Sequence, residues 1–411
     1  MTHKGEAGTR GKDVRSDCFV SVEIASSGGL QIELQSKVAA MYGSRIRETI
    51  AASLKLLGVE HGKISVEDQG ALDWIIMARI EAAVRRAGHK IKQPALPAER
   101  NGMRVPTRRE RMRRSRLYLP GNNPKLMING GLYGGDGMIL DLEDSVAPAA
   151  KDAARLLVRN GLRQLDFGDA ERMVRINQGA LGREDLDEIL PQNVHCVLVP
   201  KVESADEIRA IDEHIVKRLG QDHSVLLMPI IESAKGAWHA FEIASAAHSV
   251  VALAVGLEDY TADIGAQRTL EGRESFWARS QVLNGARAAG VQPIDTVFSD
   301  VGDMDGLRAS VREAKALGFE GKGCIHPRQI KVVHEVFAPE ESEVKKATAI
   351  VLAFEEAQAK GLGVIAIGSK MIDPPVVKRA LRSVELALAV GKLAADWRTA
   401  GRSSGAETAN A

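Results

Sequence analysis

The sequence predicts an α/β protein: a TIM (β/α)8 barrel with a C-terminal helical appendage, preceded by a small α+β domain. From Ser115 onward, short apolar runs alternate with amphipathic segments. The runs are apolar throughout, as in parallel strands that are buried on both faces. Eight such runs match the eight βα units of a barrel, which takes roughly 200 residues or more. They lie at 116–120, 137–144, 173–177, 196–203, 225–233, 250–259, 293–300 and 323–327.

A doubly wound open sheet is the alternative architecture. In that fold the first strand is commonly followed by a GxGxxG turn that binds a dinucleotide. No such pattern follows the run at 116–120, which favours the barrel.

Residues 1–92 are predicted to form the small N-terminal domain. Residues 1–17 are polar and glycine-rich and predict a flexible entry. Apolar residues then alternate at 20–24 and 30–34 around a Ser-Ser-Gly-Gly turn, which predicts a hairpin. Spacings of three and four predict helices at 44–57 and 68–89, with a strand at Ile64 and Val66 between them.

Residues 93–112 form a predicted linker to the barrel at 113–339. The linker region is rich in proline, and six arginines lie in or next to it: Arg104, Arg108, Arg109, Arg111, Arg113 and Arg114. Two interpretations remain open, a solvated linker and a docking site for a phosphate or an acidic partner. Residues 340–397 are predicted to be a lid or an oligomerisation segment, and 398–411 a disordered tail.

Composition narrows the class of function. The 411 residues carry a net charge of +1 and only 4% aromatics, which argues against a nucleic-acid or membrane partner. Cys18, Cys196 and Cys324 are far apart and form no CxxC pair, so we expect neither a disulfide framework nor a zinc site. Without a signal peptide or an apolar run long enough to span a bilayer, the sequence predicts a cytoplasmic protein.

Most apolar runs end in polar residues. In a TIM barrel these ends converge on the face that carries the active site. Several carboxylates there would repel one another without a cation, and an all-oxygen ligand set favours Mg²⁺ or Mn²⁺. An arginine at the same rim suits an anionic substrate, although any single acidic residue after a strand can instead be a helix cap. The residues are Asp141, Glu143, Asp144, Arg175, Asn177, Lys201, Glu203, Glu232, Glu258, Asp259 and His326.

Eight motifs occur in the order RSRLYLPGNNPKLM, GGDGMILDLEDSVAPAAKDAAR, VRIN, VPKVE, PIIES, GLEDY, GFEGKGCIHPRQI and KMIDPPVVKRA. In this order they resemble the citrate lyase beta subunit and the related malyl-CoA and citramalyl-CoA lyases. The resemblance covers about residues 113–395. It implies a TIM-barrel lyase that cleaves a β-hydroxy acyl thioester by a reverse Claisen reaction. It also implies a homo-oligomer, either a trimer or a hexamer.

The same resemblance implies roles for individual residues. Glu232 and Asp259 would bind Mg²⁺, and Arg175 would bind the substrate. Asp141 and Glu143, with Asp144, would orient the arginine and metal-bound water. Asp373 would be the acid/base, acting in a neighbouring subunit. Asp373 also fits a helix N-cap before Pro374, and His326 fits a structural histidine.

The N-terminal domain resembles the citrate lyase acyl carrier (gamma) subunit. The motifs that carry this resemblance are SDCFVSVEI, LQIELQSKV, YGSRIRETI and GALDWIIMARIEAAVRRA. That subunit carries a phosphoribosyl-dephospho-CoA prosthetic group on a serine. In that subunit two serines precede an aspartate, whereas here the segment is Arg15-Ser16-Asp17, with a single serine. The resemblance therefore implies that the prosthetic group is attached to Ser16. The alternative is that Ser16 is an ordinary loop serine. The two resemblances together imply a citryl thioester substrate and a separate alpha (acyl transferase) partner. The alternative is a lyase for free malyl-CoA or citramalyl-CoA with an idle carrier domain.

Overall fold

The structure of the chain is a computed structural model that describes residues 3–102, 105–359, 361, 365–367 and 370–399. Contacts divide the chain into two compact units, Met1–Val333 and His334–Ala411. Arg104 and most of the predicted tail lie outside the described residues.

A four-stranded sheet with two helices opens the first unit, which agrees with the predicted α+β domain. Its strand order is β1-β2-β4-β3. Alternate residues of β2 and β4, such as Val20 and Val66, are fully buried, which gives the sheet one apolar face. The elements are β1 (His3–Gly8), β2 (Cys18–Ile24), β3 (Leu30–Ser36), α1 (Ala39–Leu57), β4 (Gly62–Asp68) and α2 (Asp73–Arg86).

Two local predictions for this domain were wrong. Strands β2 and β3 do not form a hairpin, because β4 lies between them, antiparallel to β2 and parallel to β3. No residue of β3 is fully buried, whereas Ile64 and Val66 of β4 are, so β4 is the more buried strand at the inner position. The predicted flexible entry contains β1, which pairs with β2 from His3 opposite Ile24 to Gly8 opposite Phe19.

The second part of the first unit is a closed barrel of eight parallel strands, as the sequence predicts. The strands follow one another around the barrel in chain order, and Lys322 opposite Ser115 closes the ring. Side chains such as Ile139, Met173, Leu198 and Met228 fill the interior. The strands are β5 (Ser115–Pro120), β6 (Gly137–Asp141), β7 (Glu171–Arg175), β8 (Cys196–Val199), β9 (Leu226–Ile231), β10 (Ala252–Val255), β11 (Gln292–Asp295) and β12 (Gly321–Cys324).

Helices alternate with these strands and cover the barrel. Their amphipathic sequences bury an apolar stripe, as Leu156 and Leu157 do in the helix that follows β6. The helices are α3 (Pro124–Met127), α4 (Lys151–Gln164), α5 (Gly179–Ile189), α6 (Ala205–Leu219), α7 (Ala234–Trp238), α8 (Ala240–Ala244), α9 (Leu257–Asp263), α10 (Phe276–Ala288), α11 (Met304–Leu317) and α12 (Pro327–Phe337).

Helix α2 of the N-terminal domain packs against barrel helix α4 through a buried ion pair. Arg159 donates to both carboxylate oxygens of Glu81, at 2.9 and 2.8 Å, and both side chains are almost completely buried. Next to it, the Asn160 amide donates to the carbonyl oxygens of Trp74 and Ala95. The carrier-like domain is therefore fixed to the barrel by charges that would be costly to expose or separate.

Four of the arginines in or next to the linker, Arg109, Arg111, Arg113 and Arg114, bind the barrel, so neither proposed interpretation describes these four. Arg113 forms a fully buried ion pair with Glu171 at 2.7 Å. Arg114 pairs with Asp136 at 2.8 Å, and Arg109 donates to the carbonyl oxygens of His248 and Val250. These contacts attach the segment to the N-terminal ends of the barrel strands.

Within its described residues, the second unit contains two helices and a small hairpin. Its elements are α13 (Glu341–Ala359), β13 (Ile365–Ile367), β14 (Lys370–Ile372) and α14 (Pro374–Ala389). Phe354, Val384 and Trp397 contribute to a separate apolar core in this unit.

All three cysteines are free thiols and buried. Among the described residues, no helix combines the length and apolar character that crossing a bilayer requires.

We expect Glu81→Ala to lower the free energy of unfolding by about 3–5 kcal/mol, because Arg159 would stay buried without its main partner. Urea unfolding of the full chain measures this loss. Asp206→Ala, which removes one partner of the exposed Arg209–Asp206 pair, is the control and should change stability little. Equal losses for the two variants would contradict a structural role of the Glu81–Arg159 pair.

Candidate active site

A cavity of about 270 Å³ opens where the barrel strands end. It collects most of the charged residues that the sequence places after the apolar runs. Among its lining residues are Arg116, Tyr118, Asp141, Asp144, Ser145, Arg175, Glu232, Gly256, Glu258, Asp259, Thr296 and Gly323.

Arg175 and Asp141 form a bidentate ion pair at the mouth of the barrel. They are the last residues of β7 and β6 and lie opposite each other in the strand register. Arg175 Nε and Nη2 donate to the two Asp141 oxygens at 2.6 and 2.7 Å. Burial opposes the charge on both groups, but these hydrogen bonds outweigh it, raising the pKa of Arg175 and lowering the pKa of Asp141. The guanidinium is therefore a permanent cation in a fixed orientation.

Glu143 lies between Arg175 and Lys201. Its carboxylate is 2.9 Å from Arg175 Nη1 on one side and 2.9 Å from Lys201 Nζ on the other. Burial, which is the largest influence, raises the pKa of Glu143, although both cations oppose that shift. Lys201 Nζ also lies 3.3 Å from Asp144 and 3.8 Å from Asp259, so this ammonium group has carboxylates on several sides.

Lys201 also positions Glu232 through its backbone. Lys201 has a φ of 53°, a left-handed conformation that is uncommon outside glycine. In this conformation its N–H donates to Glu232 Oε2 at 2.9 Å. Strain at such a residue persists only where the surrounding structure imposes it, and it is often found at functional sites.

Glu232 and Asp259 line the same cavity from two neighbouring strands, β9 and β10. Burial raises the pKa of Glu232 to about 7, with Arg175 opposing the shift and Asp259 adding to it. Asp259 lies in the first turn of α9 with 44% of its side chain exposed. A buried carboxylate beside a partly exposed one is a donor pair that a divalent cation would stabilise as fully ionised.

The residues present fit a hard divalent ion with few protein ligands. Among the described residues, no group of three or more His, Cys, Asp or Glu side chains is arranged to hold a metal. Two carboxylates are a usual protein share for Mg²⁺, which takes its remaining ligands from water and substrate. Arg175 and Lys201 already neutralise Asp141 and Glu143, which leaves Glu232 and Asp259 as the pair for an ion.

Other candidates from the sequence lie outside this cavity. Glu203 pairs with Lys235 at 3.2 Å. His326 Nδ1 accepts a hydrogen bond from the backbone N–H of Arg328, a local structural contact. Asp373 belongs to the second unit, where it is the N-cap of α14 and accepts from Val376 N at 3.1 Å. Ser16 belongs to the N-terminal domain.

Sequence reasoning gave no role to three residues at the site. Lys201 was noticed only as a polar residue after the fourth run. Tyr118, whose ring centroid is 5.2 Å from the Arg175 guanidinium, and Arg116 were read as parts of an apolar strand. The signal in the sequence that could have identified Arg116 is a charged residue within a predicted buried strand.

Comparison with known proteins gives the same assignment as the motifs. A family model described as HpcH/HpaI aldolase/citrate lyase matches residues 114–327, and one described as malonate decarboxylase delta subunit (MdcD), an acyl carrier model, matches residues 4–87. The chain is 39% identical over 287 residues to citrate lyase subunit beta of Leuconostoc mesenteroides subsp. cremoris, covering 68% of this chain and 94% of that protein. It is 35% identical over 293 residues to mitochondrial citramalyl-CoA lyase of Homo sapiens, covering 68% and 86%.

A solved structure shows the same barrel. Protein CitE from Mycobacterium tuberculosis, in complex with magnesium, acetoacetate and coenzyme A, matches with a TM-score of 0.58 at 31% identity. The match covers 68% of this chain and 99% of that one. The chain therefore belongs to the HpcH/HpaI aldolase/citrate lyase family and is a carbon–carbon lyase, with an acyl-carrier-like domain of the MdcD type before its barrel.

Proposed function

We propose that the protein is a Mg²⁺-dependent lyase that cleaves a citryl thioester to oxaloacetate and an acetyl thioester. The observation that carries the proposal is the single cavity that combines the oriented Arg175 guanidinium with the Glu232 and Asp259 carboxylates. A cation and a carboxylate pair of this kind suit a substrate that is itself a carboxylate and a reaction that develops negative charge.

In the proposed reaction a base removes the proton from the citryl hydroxyl. The bond between the hydroxyl-bearing carbon and the thioester α-carbon then breaks, oxaloacetate leaves, and the electron pair moves into the enolate of the acetyl thioester. A proton returned to the α-carbon gives the acetyl thioester. Arg175 donates hydrogen bonds to the developing negative charge, and its contacts with Asp141 and Glu143 hold it ready for that role.

Glu232 and Asp259 would hold the metal ion. When bound, Mg²⁺ would supply a positive charge that lowers the pKa of the substrate hydroxyl. Glu232 suits this role because its carboxylate is held by the Lys201 N–H and lies directly against Gly256. A Cβ at position 256 would come within 2.3 Å of Glu232 Oε1, so this position leaves no room for a side chain.

Asp373 remains our candidate for the base, acting on the site of a neighbouring copy in a trimer or hexamer. Its carboxylate lies at the N-terminus of α14, where one oxygen accepts a hydrogen bond from Val376 N.

The carrier-like domain is proposed to present the thioester to this barrel. Asp17, which follows Ser16, forms a buried ion pair with Arg79, and Arg79 Nη2 also donates to the carbonyl oxygen of Asn122 at 3.1 Å. Asn122 lies just after β5, on the face where the active-site cavity opens. Ser16 itself is half-buried with a φ of 57°, in a turn where its N–H donates to Gln69 O. A phosphoribosyl-dephospho-CoA arm on Ser16 would therefore start near the mouth of the barrel.

A second candidate function is cleavage of free malyl-CoA or citramalyl-CoA, with the carrier domain idle. The similarity to human citramalyl-CoA lyase and to a structure that contains coenzyme A favours it. The fixed packing of the carrier-like domain beside the cavity favours the carrier-bound thioester. With a carrier-bound substrate, a separate alpha-type acyl transferase would be needed to exchange acetyl for citryl.

Binding of a divalent ion is the first test. We expect Glu232→Gln and Asp259→Asn to weaken Mg²⁺ or Mn²⁺ binding roughly tenfold or more, because each removes a charged ligand. Gly256→Ala should also weaken binding, since its methyl group displaces Glu232 without changing any charge. Calorimetry with Mg²⁺ and electron paramagnetic resonance with Mn²⁺ measure the affinity.

Glu203→Gln is the matched control for ion binding, because Glu203 follows a barrel strand but pairs with Lys235 outside the cavity. Unchanged affinity in both Glu232→Gln and Asp259→Asn would remove the metal assignment.

Cleavage is the second test. We expect Arg175→Lys to lower kcat roughly 100-fold or more, because lysine keeps the charge but loses the planar fork that contacts Asp141 and the developing anion. Release of oxaloacetate from a citryl thioester measures the rate. Arg209→Lys, at an exposed arginine on α6, should retain the rate of the unmodified protein. A near-normal rate for Arg175→Lys would exclude this residue from the reaction.

Modification of Ser16 is the third test. Intact-mass analysis of protein from its native host should show a heavy adduct that disappears in Ser16→Ala and persists in Ser27→Ala, a change in an exposed turn of the same domain. An adduct that survives in Ser16→Ala would place the attachment elsewhere. A chain without any adduct would favour the lyase that acts on free CoA thioesters.

A further inference from the structure

Arg116 differs from the other fully buried cations of the described chain. Arg113, Arg159 and Lys322 are buried to the same degree, and each forms an ion pair, with Glu171, Glu81 and Asp295. Arg116 is 1% exposed and has no carboxylate partner among the described residues. A buried charge without a partner is among the most costly features a protein can keep, so it calls for a functional reason.

The contacts of Arg116 satisfy its guanidinium poorly. Nη1 lies 3.0 Å from the Met228 sulfur, a weak acceptor, and Nε is buried without any hydrogen-bond partner. Met228 belongs to β9, which is opposite β5 in the ring of eight strands, so the side chain reaches across the barrel interior. Burial lowers the pKa of Arg116, with Tyr118 opposing the shift, yet an arginine remains charged in proteins.

Two glycines flank Arg116 in the barrel, and its side chain lines the active-site cavity. The residues in register with Arg116 on both neighbouring strands are glycines, Gly137 on β6 and Gly323 on β12. A Cβ at position 137 would lie 2.6 Å from Met173 Sδ and 3.3 Å from Arg116 Cγ, and a Cβ at position 323 would lie 2.6 Å from Val297 Cγ1 and 3.4 Å from the Tyr118 ring, so neither position has room for a side chain beside the arginine. Arg116 and Gly323 both line the active-site cavity, which Arg175 and Glu232 also line, so the Arg116 side chain faces the same site.

We propose that Arg116 forms the floor of the active site and binds a second carboxylate of the substrate, the one carried by the hydroxy-acid half that leaves as a keto acid. A carboxylate there supplies the anion that the guanidinium lacks, through charge-assisted hydrogen bonds in a site shielded from water. Arg175 at the mouth then faces the reacting end of the substrate, and Arg116 at the floor binds the carboxylate farthest from it.

This inference rests on the proposed lyase function and specifies its substrate class. The citryl group leaves as oxaloacetate, which has a second carboxylate, whereas the citramalyl and malyl groups leave as keto acids with a methyl group or a hydrogen at that place. A site that contains a buried unpaired cation rejects the analogue without the anion, because the cation then stays unsatisfied. Arg116 is therefore the residue that selects a diacid product over a monoacid.

Equilibrium binding of two keto acids tests the proposal without relying on turnover. Oxaloacetate and pyruvate share the keto and carboxylate groups and differ in the second carboxylate. Their dissociation constants are measured by calorimetry on the full chain with Mg²⁺, for the unmodified protein, Arg116→Met and Arg116→Lys. Arg116→Met keeps an unbranched stem but removes the guanidinium, and with it the charge and the contact with Met228.

We expect oxaloacetate to bind the unmodified protein roughly tenfold or more tightly than pyruvate, and Arg116→Met to remove this preference while pyruvate affinity stays the same. Arg116→Lys should keep part of the preference, because it retains the charge without the fork. Arg116→Met should also raise the midpoint of thermal unfolding without ligand, since it removes an uncompensated buried charge.

A structural role for Arg116 gives the opposite pattern, in which Arg116→Met lowers the unfolding midpoint and weakens both acids equally. That pattern, or an oxaloacetate preference that survives in Arg116→Met, overturns the proposal. If Arg116→Met does not fold, an unchanged preference in Arg116→Lys overturns it instead. Failure of both acids to bind the unmodified protein would overturn the proposed lyase function as well, whereas binding of both without a preference overturns only the role of Arg116.

Discussion

The ion pair between Arg175 and Asp141 is the interaction on which the active site depends. It exists because the closed barrel places the ends of β6 and β7 side by side, in a register that sets the two residues opposite each other. Both oxygens of Asp141 are used by one guanidinium, so the arginine has a single orientation. Glu143 and Lys201 extend this arrangement toward Asp259, and the Lys201 backbone holds Glu232. One chain of charge contacts thus links the arginine, the lysine and the carboxylates that we assign to the cavity.

Paired charges also join the parts of the first unit. Glu81 and Arg159 connect the carrier-like domain to barrel helix α4, and Arg113 and Glu171 fix the incoming segment to the base of the barrel. A flexible linker would let the carrier visit many positions and would set a local concentration of roughly millimolar at the site. Fixed packing changes that expectation, because the reach of a prosthetic arm, rather than the linker, would decide which site the thioester meets.

Arg116 is an exception to the pairing of buried cations with carboxylates. Where every comparable buried cation of the described chain has a carboxylate, this one has a sulfur atom and two flanking glycines. Such an arrangement is stable enough to persist only because the rest of the barrel is well packed around it, and it leaves a strong preference for an anion at the floor of the cavity. In this proposal Arg116, at the floor of the cavity, selects the substrate, and Arg175, at its mouth, contributes to catalysis.

Much of the fold and of the candidate site could be predicted from residues alone. The eight apolar runs predicted the barrel because strands buried on both faces must be apolar throughout, and Glu232 and Asp259 were found because the ends of parallel strands share one face. The hairpin at 20–34 was predicted wrongly, because alternation identifies a strand but not its partner, and β4 competes better for the inner position. The arginines before the barrel looked solvent-exposed because their partners, such as Glu171, lie far away in the chain.

By itself the sequence determined which segments become strands and helices, which polar groups follow them, and the family that these motifs identify, since all of these are local patterns. Only the tertiary structure decided which charges meet. The pairing of Glu81 with Arg159, the cluster around Lys201 and the unpaired state of Arg116 all depend on distances between residues that are remote in sequence. Electrostatic energies and burial are properties of the folded arrangement, so no reading of neighbouring residues can supply them.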